Sequence, residues 1–382
     1  MKILVVSGIW PPDVGGPASH APDVAAYLQE RGHQVEVVVT AEGPPAAQPY
    51  PVRFVSRTLP KGVVHLRVAA EVARRARTAD VVYTTGMFGR SAAGATLARR
   101  PYVLKLTADP AFERARRRGI VGGDVDEFQS ATSNVSVRIL RLARDAELRR
   151  AAHVFTPSAY LRELAVSWGV DSAHVSVLPN PTPRLSGRAP RDELRRSFGM
   201  TGPTLAFAGR ITAQKSLRVA VEALAGVDGV ALVIAGDGDE RPALERAVVE
   251  LGLEKRVRFL GAQPRDRVLD LFAAADASIL SSSWENFPHT VVEALAAGTP
   301  VLATATGGVA EVVRDGENGL LVPVGDARAL GAAIRSFVGD ETLQKRLRAA
   351  ATPSVAEYAP DRVFERLEQT LLRVALPSAR RE

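Results

Sequence analysis

Short runs of β-branched and apolar residues alternate along this chain with longer stretches in which apolar positions recur every three or four residues. In the first half, Ile3 to Ser7, Val35 to Thr40, Val52 to Val55, Val81 to Thr84, Tyr102 to Leu106 and His153 to Thr156 read as strands. Ala18 to Arg31 reads as an amphipathic helix, with Gly32 where a left-handed residue closes a helix. The pattern breaks between Leu178 and Pro190, because Pro179, Pro181, Pro183 and Pro190, with Asn180, Ser186 and Gly187, continue neither period. It then resumes. Strands are expected at Thr204 to Ala208, Ala231 to Ala235, Val257 to Leu260, Ala277 to Leu280 and Val301 to Ala303, with helices at Ser216 to Ala225, Glu240 to Leu251 and Arg265 to Ala274. Such alternation predicts an α/β fold with parallel sheets covered on both faces. The expected organisation is a Rossmann-like domain over 1–180, a linker over 181–190, a second such domain over 191–360, and a tail over 361–382 whose helix, Asp361 to Ala375, crosses back to the first domain. Two doubly wound domains facing across a cleft would each turn the loops at the carboxyl ends of their strands toward it.

Size and charge narrow the picture. A chain of 382 residues suits two domains rather than one core. It has no cysteine, which excludes disulfides and thiolate metal sites and makes a cytoplasmic protein the simplest expectation. No apolar run reaches the length of a membrane-spanning helix, and Ile3 to Val6 is too short for a signal-peptide core. The formal charge of +7 lies entirely in the first half: 23 Lys and Arg face 16 Asp and Glu up to Pro183, and 26 of each follow. A basic first domain suits an anionic membrane, an anionic acceptor or a solvated arginine-rich face. The amphipathic stretch Val135 to Arg150 fits either a helix on a membrane or one packed on the first sheet. Nucleic acid is not expected as a partner, since the basic excess lacks interleaved aromatics.

Candidate chemistry clusters in loops that follow strands. After the first strand, Gly15 and Gly16 either let the backbone approach a phosphate or sugar or form a plain tight turn, and the spacing is not that of a dinucleotide fingerprint. Gly209 and Arg210, with Lys215 five positions on, place two cations at the carboxyl end of a strand, where they would neutralise a diphosphate. A lysine at a helix start is unfavourable without an anion nearby. Asp237 and Asp239 read as a metal pair or, in preference, Asp239 as a helix N-cap; Gln263 lies in a further loop where a base could be held. Glu285 and Glu293 are eight positions apart around a helix start at Pro288. The amides of His289, Thr290 and Val291 between them are expected to be unpaired, an anion site next to two carboxylates. Sugar hydroxyls on Glu285, phosphates on the amides and ribose hydroxyls on Glu293 would follow.

Gly209-Arg210 with Lys215, Glu285 with Glu293, Ala297-Gly298-Thr299-Pro300, Gly307-Gly308 with Glu311, and Asn318-Gly319-Leu320-Leu321-Val322 occur in one order. Together with Gly15-Gly16, His20 and Arg31 to Val35 near the start, they closely resemble the retaining glycosyltransferases of family 4, which have the GT-B fold of two Rossmann-like domains. The resemblance implies transfer of a sugar from a nucleotide diphosphate-sugar, UDP first and GDP next, to an acceptor hydroxyl on a glycan, a lipid-linked sugar or a small molecule. No metal and no cofactor are expected. It implies catalytic roles for Asp109, Arg210, Lys215 and Glu285, and donor contacts from Gly15, Gly16, Gly209, Arg210, Lys215, Gln263, Glu285, Asn286, Phe287, Thr290 and Glu293. His20 and Arg114 would meet the acceptor, with Arg114 to Arg118 and Asp124 to Phe128 shaping its site. Three positions depart from the family's pattern: Asn286 replaces a glycine, Asn180-Pro181-Thr182 replaces Asn-Gly, and no histidine follows Tyr102 to Leu106, where Asp109 is the candidate substitute. The alternatives are a sugar-nucleotide-binding subunit without catalysis and an epimerase of the same fold.

Overall fold

Parallel strands buried on both faces need near-continuous apolar runs, and the chain supplies them: Ile3, Leu4, Val5 and Val6 are all buried, as are Leu205, Ala206, Phe207 and Ala208. The computed structural model describes residues 1–13, 16–121, 125–130, 135–185 and 187–376. It divides into one unit of Met1–Asn180 together with the chain from Asp361 onward, and a second unit of Pro181–Pro360.

In the first unit, strands β1 (Lys2–Ser7), β2 (Gln34–Ala41), β3 (Val52–Ser56), β4 (Val81–Thr84), β5 (Tyr102–Lys105), β6 (His153–Thr156) and β7 (Val175–Val177) form one sheet, ordered β3-β2-β1-β4-β5-β6-β7. Every pairing is parallel, with Ile3 opposite Val35 on one side and Val81 on the other. The connecting helices are α1 (Gly16–Glu30), α2 (Lys61–Ala76), α3 (Phe88–Leu97), α4 (Pro110–Arg117), α5 (Val125–Ser130), α6 (Val135–Arg149) and α7 (Ala159–Ser167). Side chains alternate across the sheet: Leu4, Val6, Val38, Val82 and Leu104 pack in one core, and Ile3, Val5, Val37, Val81, Tyr83 and Val103 in another. Helix α6 does what the second reading of its stretch required, burying Val137, Leu140, Arg144 and Leu148.

The second unit repeats the design with β8 (Thr204–Ala208), β9 (Ala231–Ala235), β10 (Val257–Gly261), β11 (Ala277–Leu280), β12 (Val301–Thr304) and β13 (Gly319–Val322), ordered β10-β9-β8-β11-β12-β13 and again parallel. Its helices are α8 (Arg191–Ser197), α9 (Leu217–Ala225), α10 (Arg241–Glu250), α11 (Arg265–Ala274), α12 (His289–Ala296), α13 (Val309–Val312), α14 (Ala327–Gly339) and α15 (Glu341–Ser354). The final helix, α16 (Pro360–Ala375), puts Val363, Phe364, Leu367 and Leu371 into the first unit's core beside Ile3, Val5 and Tyr83. Its Glu368 pairs with His33 at 2.8 Å and Arg31 at 3.2 Å. Both sheets are therefore doubly wound and Rossmann-like. Strands β7 and β13 escape a reading by pattern because they are short edge strands, one carrying Ser176 at its centre and the other opening on Gly319.

Candidate functional site

In an open parallel sheet, ligands bind beyond the carboxyl ends of the strands where the strand order reverses. In the second unit that point lies between β8 and β11, and the loops leaving these two strands carry Lys215 and Glu285. The lysine ammonium hydrogen-bonds Glu285 Oε1, which also accepts from the Ser282 hydroxyl at 2.7 Å. This is the anion that the position of Lys215 required. The two loops are knitted together: Ser283 N donates to the Gln214 carbonyl at 2.8 Å, Gln214 Nε2 to the Trp284 carbonyl at 2.9 Å, and the Ser281 hydroxyl to the Lys215 carbonyl at 3.0 Å. Glu285 is buried, so its charge depends on these partners.

Two glycines fix the frame. Gly307, with φ +46°, lies where an added Cβ would sit 2.0 Å from the Glu285 carbonyl oxygen, and the next amide, Gly308 N, donates to that carbonyl at 3.0 Å. The loop after β12 thus clasps the backbone of Glu285. At Gly236 an added Cβ would meet the Gly209 carbonyl at 1.8 Å, which locks the loop after β9 onto the one after β8. Arg210 follows Gly209 and is exposed.

The helix after Glu285 differs from expectation in two ways. Pro288 is the N-cap and α12 begins at His289, so the helix starts one residue later. Of the three amides expected to be unpaired, His289 N donates to Phe287 O at 3.1 Å and Val291 N to Pro288 O at 3.0 Å; among the described residues, Thr290 N alone of the three has no backbone acceptor. The anion site at this end is correspondingly smaller. Glu293 pairs with Arg265 at 3.1 Å, and burial raises its pKa against the lowering effect of that arginine. Gln263 ties back to the Leu260 carbonyl at 2.7 Å. Phe287 is a core side chain, edge-on to Tyr358 and His289, and Asn286 is buried beside Glu285. Asp239 does not cap α10; Glu240 occupies that position, and Asp237 instead pairs with Arg241 at 3.1 Å. Ser282 and Arg265 were missed from the sequence. Ser282, three residues before Glu285, was within reach of a local argument; Arg265 is 28 positions from Glu293 and gave no signal.

The first unit treats its candidates differently. Asp109 caps α4, accepting from Ala111 N at 2.8 Å and Phe112 N at 3.3 Å, and its other oxygen takes Gln129 Nε2 at 2.9 Å and Arg144 at 2.8 Å. Its side chain is 0% exposed and that of Arg144 3%. The expectation that Asp109 stands near a reacting sugar gives way to a structural role, because a carboxylate with both oxygens bonded in the interior has nothing left to offer a ligand. His20 is likewise a core residue, bonded to the Tyr83 hydroxyl at 2.8 Å and packed near Phe364. Arg114 is partly exposed, 3.7 Å from Glu147. Burial, followed by the charges of Arg90 and Arg114, holds the His65 imidazole below its ordinary pKa. Lys105 is fully buried at the end of β5, its ammonium 3.5 Å from the Pro179 carbonyl, and burial brings its pKa down to about 7. Gly16 opens α1, whereas Gly15 and Asp124 lie outside the described residues. Among the described residues, no helix is long and apolar enough to cross a membrane.

Two family models match: the glycosyl transferases group 1 model over residues 190–353 and the glycosyl transferase 4-like domain over residues 15–181. The chain is 40% identical over 145 residues to the lipopolysaccharide core biosynthesis glycosyltransferase LpsE of Rhizobium meliloti (strain 1021), covering 38% of this chain and 42% of that one. It is 32% identical over 264 residues to the 2-deoxystreptamine N-acetyl-D-glucosaminyltransferase of Streptomyces fradiae, covering 66% and 63%. The chain thus spans less than two thirds of the length of either relative. Among solved structures, Anabaena Alr3699/HepE in complex with UDP superposes with a TM-score of 0.78 at 22% identity, covering 98% of this chain and 100% of that one. WaaG, a glycosyltransferase involved in lipopolysaccharide biosynthesis, gives a TM-score of 0.73 at 16% identity, covering 97% and 99%. With a glycosyltransferase model matched to each half and two Rossmann-like parallel sheets in this order, the chain belongs to the GT-B, family 4-like glycosyltransferases.

Proposed function

We propose that this chain is a retaining hexosyltransferase that moves a sugar from a nucleotide diphosphate-sugar to an acceptor hydroxyl. The observation that carries the reading is the Lys215–Glu285 pair at the β8/β11 switch point, clasped by Gly307 with Arg210 exposed nearby. Arg210 and Lys215 hold the diphosphate, Glu285 holds a hydroxyl of the transferred sugar, Glu293 holds the ribose, and the Thr290 amide adds a donor. Before the donor arrives Lys215 neutralises Glu285; the diphosphate draws the ammonium away and frees the carboxylate for the sugar. The acceptor oxygen then attacks the anomeric carbon on the face from which the diphosphate departs. The bond from that carbon to the phosphate oxygen breaks, and the departing oxygen takes the hydroxyl proton. Fixed cations neutralise the negative charge of the leaving diphosphate, so the reaction is proposed to be independent of metal.

UDP is favoured as the nucleotide because a fold neighbour is described in complex with UDP and with UDP-glucose. The acceptor is a glycan, a lipid-linked sugar or a natural product, in line with relatives named for lipopolysaccharide core and 2-deoxystreptamine. The setting proposed is the cytoplasm, with the basic first unit peripheral to the membrane. A second reading, a sugar-nucleotide-binding subunit without catalysis, draws on the burial of Asp109, which leaves the family's histidine without a substitute. Calorimetric titration with UDP-, GDP- and ADP-sugars in EDTA, repeated with Arg210→Ala, tests the donor site. One nucleotide should bind and be lost in the variant; no binding by any of them overturns the reading. Product formation from the nucleotide that binds separates transferase from subunit.

A further inference from the structure

Helix α6 buries one face and leaves a second apolar face uncovered. Val135 is 70% exposed, Ile139 60% and Leu142 66%. Their spacing of four and three residues lines them along one side of the helix, and Ala146 continues the line toward the end, opposite the buried Val137, Leu140, Arg144 and Leu148. A scattered exposed leucine is ordinary, but three bulky side chains in register on one helix form a stripe.

Among the described residues, the exposed charges of α6 beside the stripe are cations. Arg138, Arg149 and Arg150 are exposed on its flanks. Of the acidic residues of α6, Asp145 lies 2.9 Å from the buried Arg144 and 3.9 Å from Arg149, so it offsets part of that arginine's charge, and Glu147 lies against Gly89 with Arg114 3.7 Å away. Helix α4, which packs against α6, exposes Arg116, Arg117 and Arg118 in turn. An apolar stripe whose exposed flanking charges are arginines, one helix from a second row of cations, matches a surface that is apolar inside and negative at its rim. That is the interface of a bilayer containing anionic lipids. A water-soluble protein partner has no need of this combination, since a net positive border repels a second copy of the same face.

We infer that the Val135–Ile139–Leu142 face of α6 docks the first unit on an anionic lipid surface. The helix lies in the plane of the interface, with the three side chains among the acyl chains and the arginines at the phosphates. This rests on the peripheral setting proposed above and deepens it by naming the surface. It also points to an acceptor held at a membrane, because Arg114, a candidate for acceptor contact, lies on the unit that docks.

Sedimentation with vesicles tests the inference, comparing phosphatidylcholine alone with phosphatidylcholine mixed with phosphatidylglycerol. The full chain should bind the anionic vesicles at least about tenfold more tightly than the neutral ones and release with salt. Ile139→Gln combined with Leu142→Gln should lose about tenfold or more of that binding. Both side chains face solvent, so the thermal melt and UDP titration should match the parent. Arg138→Gln with Arg149→Gln should lower binding to anionic vesicles and leave binding to neutral ones unchanged. Equal vesicle binding by parent and Ile139/Leu142 variant overturns the inference, as does binding to neither vesicle. A dimer in solution that this variant converts to monomer overturns it too, by assigning the face to a second copy. UDP titration without vesicles keeps failure of this inference separate from failure of the donor-site reading.

Discussion

The carboxyl edges of the two sheets are built by the same rules and used in opposite ways. In the second unit the loops after β8, β9, β11 and β12 lock together backbone to backbone, through Gly209 with Gly236 and Gly307 with Glu285, and this rigid frame presents a partly buried ion pair and an exposed arginine. In the first unit the charged groups near the edge turn inward: Asp109 and Arg144 pair in the interior, and Lys105 is buried with no carboxylate paired to it among the described residues. A rigid backbone frame suits a ligand part that is always the same, such as a nucleotide diphosphate. An edge whose charges are spent on the fold leaves the ligand to be met by exposed surface, as suits acceptors that differ between relatives.

The largest effect that would break this contrast is expected in the first unit. Asp109→Ala removes the α4 cap and the fully buried partner of Arg144, leaving that arginine only Asp145, and should cost about 3 kcal/mol in denaturant unfolding, with the UDP affinity of the folded protein unchanged. A folded Asp109→Ala protein of full stability that had lost transfer would return Asp109 to the reaction. Glu285→Ala should show the converse, a fall in kcat of about 100- to 1000-fold with a smaller change in UDP affinity. Equal losses in both quantities would dissolve the division between Glu285 and Glu293.

Lys105 sharpens the comparison through pH. Its folded pKa is depressed from 10.5 to about 7, so the unfolded chain holds more protons between those values and stability climbs with pH across that window. Lys105→Met should therefore stabilise the protein by a few kcal/mol at and below pH 7, roughly, and the gain should fade toward pH 10.5. Melting of both proteins across this range checks it, and a pH-independent difference would refute it. The smallest effect is expected at the ribose position. Glu293→Ala should weaken UDP binding by about tenfold, and Arg265→Ala, which removes only the partner of Glu293, by about threefold, as read by calorimetry.

The second unit's frame was legible because its chemistry is carried by short motifs. Gly209, Arg210, Lys215, Glu285 and Gly307 are picked out by their places after strands together with the family resemblance, and the alternation of apolar runs placed β8 to β12 nearly to the residue. What stayed hidden depends on who neighbours whom at long range. Nothing in the sequence near Asp109 announces Arg144, 35 positions on and on another helix, and without that partner a carboxylate before Pro110 reads equally as a cap or as a catalytic group. His20 misled for the same reason, since Tyr83 and Phe364 come to it from distant segments. The amides of α12 failed more locally: a one-residue shift of the helix start gives Val291 an acceptor in Pro288.

Helix α16 also sets an order of assembly. The first unit's core is finished by Val363, Phe364, Leu367 and Leu371, which leave the ribosome only after the whole second unit has been made. The second unit is contiguous and can close as soon as its own residues emerge, whereas the first must wait with part of its apolar surface open. A chain interrupted shortly before Pro360 would then hold an intact second unit beside an unfinished first one, a product that cellular quality control would recognise by its first domain rather than its last.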